Sequence, residues 1–280
     1  MNSQPLVSVV VPTYNAADAI GATIQSVREQ TYQNWELIIV DDCSTDGTGD
    51  LVRALAVHDE RIQLTTLETN SNLPAVPRNV GIRNARGDLV AFLDHDDLWF
   101  RRKLERHVAA HLRNKDLAMT HSALLNYPNR FDIKEIRHLP APVRPMSSLD
   151  RLRAWNTVMC SSVVVKADVL KQLDGFDEGR EWRAIEDYEL WLRIAEQHEI
   201  GYIPEVLGLY RVSPTGTYRL EDMDEKLNAL RARGRIKGPL PRRSLSRTIV
   251  SKCTGLAGAA WYYAILGPSR AQLGHHPVVF

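Results

Sequence analysis

Asp94, Asp96 and Asp97 place three carboxylates within four positions, in the stretch Leu-Asp-His-Asp-Asp-Leu-Trp from Leu93 to Trp99. Like charges held this close resist ionising together unless something positive neutralises them, and a divalent cation does so most simply. Ligation by oxygen alone favours Mg2+ or Mn2+ over Zn2+. Mg2+ in particular takes one or two protein carboxylates and completes its shell with water and substrate phosphates. The chemistry implied is capture of a diphosphate. A plainer reading stands beside it, in which these acids cap a helix that starts near Phe100.

The acids follow the apolar run Leu89-Val90-Ala91-Phe92-Leu93, which suits a strand buried on both faces of a largely parallel sheet. If the extended conformation continues, Asp94 and Asp96 point to one side and His95 to the other. Upstream, Val7 to Val11 reads as a strand closed by Pro12, followed by the loop Thr13-Tyr14-Asn15. A helix follows with Ile20, Ile24 and Val27 inward and Asp18 placed as its cap. Leu37 to Val40 is a second buried strand ending in Asp41-Asp42, and Leu51, Val52 and Leu55 line the helix after it. Ile62 to Leu67 is a third strand, and Asn79 to Arg86 a short helix stopped by Gly87. This alternation predicts a doubly wound α/β sheet, with the loops after Val11, Val40 and Leu93 open on one edge. Tyr14, Asp42 and Asp96 then converge.

Downstream, Leu104, Val108 and Leu112 predict an amphipathic helix, on which His107 and His111 stand four apart like a metal pair lacking a third ligand. Ala118 to Ala123 and Cys160 to Val165 are strand-like. The proline-bearing stretch from Asn126 to Ser148 reads as a long irregular connection of the kind that often forms a lid or binding loop. Leu173 to Asp177 is a turn carrying one aromatic anchor, and Glu186-Asp187 opens a helix with Leu190, Trp191 and Ile194 on one face.

The bulk properties narrow the function classes. The chain has 280 residues, 44% of them hydrophobic and 25% charged, with a formal net charge of +1, so nothing calls for a nucleic acid partner. Cys43, Cys160 and Cys253 are far apart and odd in number, which predicts reduced thiols and a cytoplasmic protein without structural zinc. No stretch reaches the roughly 20 apolar residues of a membrane span, and Met1 to Leu6 lacks the basic residues of a signal peptide. Arg242, Arg243, Arg247 and Lys252 precede the aromatic, apolar Leu256 to Leu266. The segment 242–266 has the character of a helix resting on the inner face of an anionic membrane. The plainer reading, favoured here, is a helix packed on the catalytic domain or on a second subunit of a homodimer.

Taken in order, Val9-Val10-Val11-Pro12-Thr13-Tyr14-Asn15, Ile38 to Thr48, Arg78-Asn79-Val80-Gly81, Leu93 to Asp97, and Gly175-Phe176-Asp177 followed by Glu186 to Arg193 resemble the bacterial, inverting family-2 glycosyltransferases. The resemblance runs from about Val7 to about Tyr210. It implies the GT-A fold: a mostly parallel sheet with a Rossmann-like nucleotide-binding half (1–115), an acceptor and catalytic-base half (116–220) and a C-terminal helical extension (221–280). It also implies a nucleotide-diphospho-sugar donor, usually UDP-linked, and a glycan or lipid-linked acceptor. By resemblance Pro12 and Tyr14 flank the uridine, and Asp42 accepts from the base with Asp41 as its neighbour. Arg78 reaches the ribose or phosphates, and His95 lies in the donor site. Asp94 and Asp96 hold Mg2+ or Mn2+, Asp187 is the general base, and Glu186 is its neighbour. Ser213 stands near the place where family members often carry a histidine, so Arg211 is expected to supply the positive charge instead. Two rivals fare worse. A sugar-1-phosphate nucleotidyltransferase would open with a glycine-rich basic loop where Pro12 to Asn15 stands, and a silent sugar-nucleotide or glycan binder would not need Asp96 and Asp187.

Overall fold

The structure is a computed structural model that describes residues 4–128, 149, 152, 156, 158–212 and 223–232. The expected connection beyond residue 128, Ser213, Cys253 and the basic tail at 242–266 lie outside these residues.

One eight-stranded sheet organises the chain. It contains β1 (Val7–Thr13), β2 (Trp35–Asp41), β3 (Ile62–Thr66), β4 (Leu89–Phe92), β5 (Leu98–Trp99), β6 (Leu117–Pro128), β7 (Val163–Lys166) and β8 (Glu199–Val212). The order is β3-β2-β1-β4-β7-β6-β8-β5. β1, β2, β3 and β4 are mutually parallel, and β7 runs antiparallel to both β4 and β6. This is the expected mostly parallel α/β sheet of the GT-A type. Between β1 and β4 the strand order reverses, which opens a crevice at their carboxyl ends.

The helices are α1 (Ile20–Arg28), α2 (Thr48–Ala56), α3 (Ala75–Asn84), α4 (Lys103–Arg113), α5 (Ala167–Gln172), α6 (Glu186–Gln197) and α7 (Met223–Ala232). Side chains in a strand alternate faces, so β1 feeds two cores. Val7, Val9 and Val11 pack with Ile20, Ile24, Val52 and Leu104, while Val10 packs with Val90, Phe92, Leu170 and Trp191. Because both faces are covered, these strands read as largely apolar runs rather than alternating ones, with Ser8 and Glu36 as buried polar exceptions bonded to each other.

Several local expectations need correction. Pro12 does not end β1, since it pairs in register with Val40. Its nitrogen lies on the β4 side, where pairing already stops at Val10 and Phe92, so no ladder bond is lost. Asp18 does not cap α1, whose N-cap is Ala19 without a side-chain bond; it lies instead 3.6 Å from Arg211. The third helix begins at Ala75, earlier than expected, and Ala85, not Gly87, ends it. Gly87 is small because a Cβ there would stand 2.6 Å from the Leu6 carbonyl. Cys160–Ser162 is a 3-10 turn ahead of β7 rather than part of the strand. Leu112 is 52% exposed, and Lys103, His107 and His111 take the buried face of α4. These polar groups bond to one another: Lys103 Nζ meets His107 Nε2 at 3.0 Å, and Thr120 Oγ1 joins His107 Nδ1 at 2.8 Å to His111 Nε2 at 3.1 Å.

The helix α3 is pressed onto β1 at Gly81, where a Cβ would stand 2.3 Å from Val10 Cγ1. Gly81→Ala gains up to about 1 kcal/mol of helix propensity. It also forces a β-branched strand residue to move, and overpacking of that kind costs about 1–3 kcal/mol. The expected result is a net fall in the thermal unfolding midpoint; an unchanged or higher midpoint would contradict this packing.

Candidate active site

The acidic stretch sits at the predicted place but not in the predicted conformation. β4 stops at Phe92, and Asp97 N donates to Asp94 O at 3.1 Å, closing a turn over His95 and Asp96. The extended path fails because the turn is gripped from outside. Thr23 Oγ1 donates to His95 O at 2.7 Å and lies 3.0 Å from Asp97 O. The His95 ring lies 3.3 Å from Pro12 O, behind the turn. Asp97 is fully buried. Its carboxylate accepts from Ser161 Oγ at 2.5 Å and from the Arg211 backbone N–H at 2.8 Å. Burial and the neighbouring Asp94 and Asp96 hold Asp97 well above the usual carboxylate range. Asp96 is raised as well, chiefly by burial and then by Asp94, against the pull of His95 and Arg211.

Arg78 joins this turn to the second acid pair. α3 presents Arg78, Asn79 and Gly81 in three directions, which explains the spacing of that motif. Gly81 faces β1. Asn79 accepts from Phe176 N at 2.9 Å and donates to Phe176 O at 2.8 Å and to Glu178 at 2.8 Å, docking the turn through Gly175 and Phe176. Phe176 in turn packs edge-on to Phe92 and Trp191. Arg78 donates through Nη2 to Asp94 Oδ1 at 2.7 Å and through Nη1 to Glu186 Oε1 at 2.6 Å. Both terminal nitrogens of the guanidinium therefore bond to carboxylates, where the resemblance had directed them to ribose or phosphate. Arg78 Nε and Glu186 Oε2 are buried without a hydrogen-bond partner.

Glu186 and Asp187 stand in the first turn of α6, as expected. The chain reaches them through Ala184, whose φ of 71° is left-handed and costs a non-glycine residue about 1 kcal/mol or more. Leu190, Trp191 and Ile194 anchor the helix in the core. The positive end of a helix would favour an ionised Asp187. Instead, burial and then the charge of Glu186 push it up to about 7, with Arg78 pulling the other way. Tyr210, near the same acids, is raised by burial and by their charges.

The neighbouring loops are stitched together. Asn15 N donates to Ser44 Oγ at 2.8 Å, Thr45 N donates to Asn15 Oδ1 at 2.8 Å, and Ala17 N donates to Asp46 at 3.0 Å. This leaves the Tyr14 ring 45% exposed at the edge. Asp41 accepts from Ser44 N at 3.1 Å and from its hydroxyl, so it shapes the loop. Asp42 is held by Ser71, whose N–H and hydroxyl both donate to it at 2.8 Å.

Asp94, Glu186 and Asp187 thus gather around Arg78, while Asp96 and Asp97 adjoin Asp94, with Arg211 as the cation nearest Asp96. Negative charge is in excess, and hard oxygen donors in excess fit Mg2+ or Mn2+. Among the described residues no three acids, histidines or cysteines converge into a ready-made metal cage. A cation held by Asp94 and Asp96 would take its remaining ligands from water and phosphate, while His107 and His111 bond to Lys103 and Thr120 on the buried face of α4.

The structure brings Asp94, Asp96, Glu186, Asp187 and Arg78, the residues named on the resemblance, into one neighbourhood; the sequence reading assigns no role to Asp97 or Ser161. A short Asp-Asp pair before a strand signals Asp97; nothing local signals Ser161, which meets the turn only through the antiparallel insertion of β7.

Comparison with known proteins agrees with this geometry. The model of glycosyl transferase family 2 matches residues 8–165. EpsE of Bacillus subtilis (strain 168) is 35% identical over 204 residues, 72% of this chain and 71% of EpsE. WfgD of Escherichia coli, a UDP-Glc:alpha-D-GlcNAc-diphosphoundecaprenol beta-1,3-glucosyltransferase, is 35% identical over 199 residues, 71% of this chain and 73% of WfgD. The mannosyltransferase PcManGT of Pyrobaculum calidifontis, solved with GDP-Man and Mn2+, shares the fold at a TM-score of 0.65 and 22% identity, over 99% of this chain and 77% of that one. The ordered motifs, the sheet and a family match spanning more than half of the sequence agree: the chain belongs to glycosyl transferase family 2.

Proposed function

We propose that this chain transfers a sugar from a UDP-sugar to a hydroxyl of a glycan or lipid-linked acceptor, with inversion and with a divalent cation, in the cytoplasmic assembly of a cell-surface polysaccharide. The observation that carries this reading is the bridge from Asp94 through Arg78 to Glu186, which fixes the acidic turn and Asp187 in one crevice at the sheet edge. A UDP-linked donor and a lipid-diphosphate acceptor are supported by WfgD, and the cation by PcManGT. Among the described residues no helix is long and apolar enough to cross a membrane.

The exposed Tyr14 ring stacks on the base, beside the Asp42 carboxylate that Ser71 orients. Asp94 and Asp96 would hold the cation, which when bound would stabilise the charge that develops on the departing diphosphate. Arg78 keeps Asp94 in place and adds a permanent positive charge near the same group. Asp187 in its ionised form takes the proton of the acceptor hydroxyl as that oxygen attacks the anomeric carbon from the face opposite the diphosphate. A single displacement inverts the configuration.

Release of nucleoside diphosphate from a panel of UDP-sugars and GDP-Man, with Mn2+ or Mg2+ and with chelator, tests this. Release from one UDP-sugar, lost on chelation, is expected. Asp96→Asn should fold and lose about a hundredfold or more, the rate equivalent of a few kcal/mol of charge stabilisation. Full activity with chelator or in Asp96→Asn overturns the metal role, and a folded chain inactive on every donor overturns the enzyme assignment.

A further inference from the structure

We propose that Ser161 is a positioning residue for this reaction, setting the geometry of the acidic turn on which the cation and diphosphate bind; the proposal rests on the donor site described above.

The topology puts Ser161 there. β7 is antiparallel to β4, and Val164 pairs with Ala91, so the turn that precedes β7 lies beside the carboxyl end of β4. Ser161 is 1% exposed in the middle of that 3-10 turn. Its hydroxyl accepts from Asp94 N at 3.0 Å and donates its one proton to Asp97 Oδ2 at 2.5 Å. A single side-chain oxygen therefore grips both ends of the segment that carries Asp94 and Asp96.

Ser161 is itself clamped. Trp99 Nε1 donates to Ser161 O at 2.8 Å, and Lys103 Nζ donates to Ser162 O at 2.8 Å. Lys103 is wholly buried, close to the Trp99 ring at 5.0 Å and bonded to His107, and among the described residues no carboxylate forms an ion pair with it. Burying a lysine without an acid is costly, so its place is explained by what it holds: the carbonyl that orients this turn. The far oxygen of Asp97 accepts from Arg211 N at 2.8 Å, which brings the end of β8 into the same frame. Groups that orient metal-binding side chains without touching the metal typically control affinity by about 10- to 100-fold.

The test is direct binding to the full chain, independent of turnover. Mn2+ is titrated in the presence of UDP, and free Mn2+ is read from its electron paramagnetic resonance signal, with folding followed by circular dichroism. Ser161→Ala is expected to keep native secondary structure and weaken Mn2+ binding by about tenfold or more. Ser161→Thr, which retains the hydroxyl, is expected to bind more tightly than Ser161→Ala. A merely structural serine would lower the melting temperature of Ser161→Ala without moving the Mn2+ affinity of the folded protein. Equal affinity of Ser161→Ala and wild type, or a Thr variant as weak as the Ala one, overturns the proposal. Should Ser161→Ala not fold, Trp99→Phe carries the test, since it removes the N–H that holds Ser161 O while keeping an aromatic ring in place; unchanged Mn2+ affinity in it overturns the proposal. Wild type that binds no Mn2+ with either UDP or GDP overturns the donor site itself, and the role of Ser161 with it.

Discussion

Asp187→Asn is expected to reduce transfer on the order of 10^3-fold, as loss of a general base does, while raising the melting temperature above pH 7. Both effects come from one cause. The carboxyl of Asp187 is raised from 3.8 to about 7 by burial and by the charge of Glu186. The folded chain therefore holds this proton more tightly than the unfolded chain does. Between about pH 4 and pH 7 the folded state binds more protons, so this group lowers stability as pH rises through that window. Asparagine carries no charge and escapes the penalty. The gain should be near zero at pH 4 and reach about 1–2 kcal/mol above pH 7, less than the full shift implies because the side chain is only half-buried. In the wild type, kcat/KM should climb tenfold per pH unit below 7 and flatten above it. A stabilising substitution that abolishes activity marks a site kept strained for function. A melting temperature lowered at pH 8, or activity independent of pH from 5 to 8, would contradict the assignment of Asp187.

Arg78→Met has the largest expected effect on stability, a loss of about 3–5 kcal/mol. Arg78 is 5% exposed between Asp94 and Glu186, and removing it leaves two carboxylates facing each other without a cation. The same change should move the pH profile of any residual activity to the alkaline side, because Arg78 is the charge that pulls Asp187 down. Arg78→Lys should recover part of the stability but not both contacts, since an ammonium lacks the fork that reaches two acids at once. Adding Glu186→Gln to Arg78→Met should recover part as well, because a neutral amide no longer repels Asp94. Equilibrium unfolding of these proteins, with Glu186→Gln alone as the fifth, checks this. Additive losses in the double variant would mean that Arg78 and Glu186 do not act as a pair.

The strands and the shared edge were legible because burial on both faces leaves apolar runs that composition alone displays, and because acids directly after such runs have few places to go. The sequence could not show where those acids turn. The extended path assumed for Asp94 to Asp96 fails because two hydroxyls, those of Thr23 and Ser161, reach the turn from distant segments and hold it closed. Arg78 was legible as a cation but not in its partners, which lie 16 and 108 residues away. Leu112 was placed inward on spacing, yet eight positions beyond Leu104 a helix has drifted about 80°. His111, seven positions on, stays closer to the buried face, where Thr120 meets its Nε2. Asp18 looked like a cap because its type suits one, but its carboxylate lies nearer to Arg211.

The most direct measurement is a crystal structure of the full chain grown with Mn2+ and UDP. The ion should lie on Asp96, with Asp94 beside it, bridging to the diphosphate, the uracil should stack on Tyr14, and the Asp187 carboxylate should face the sugar position from the side opposite the diphosphate. An ion or a diphosphate bound away from the turn at Asp94 to Asp97, or Asp187 turned out of that crevice, would contradict the shared site on which the mechanism depends.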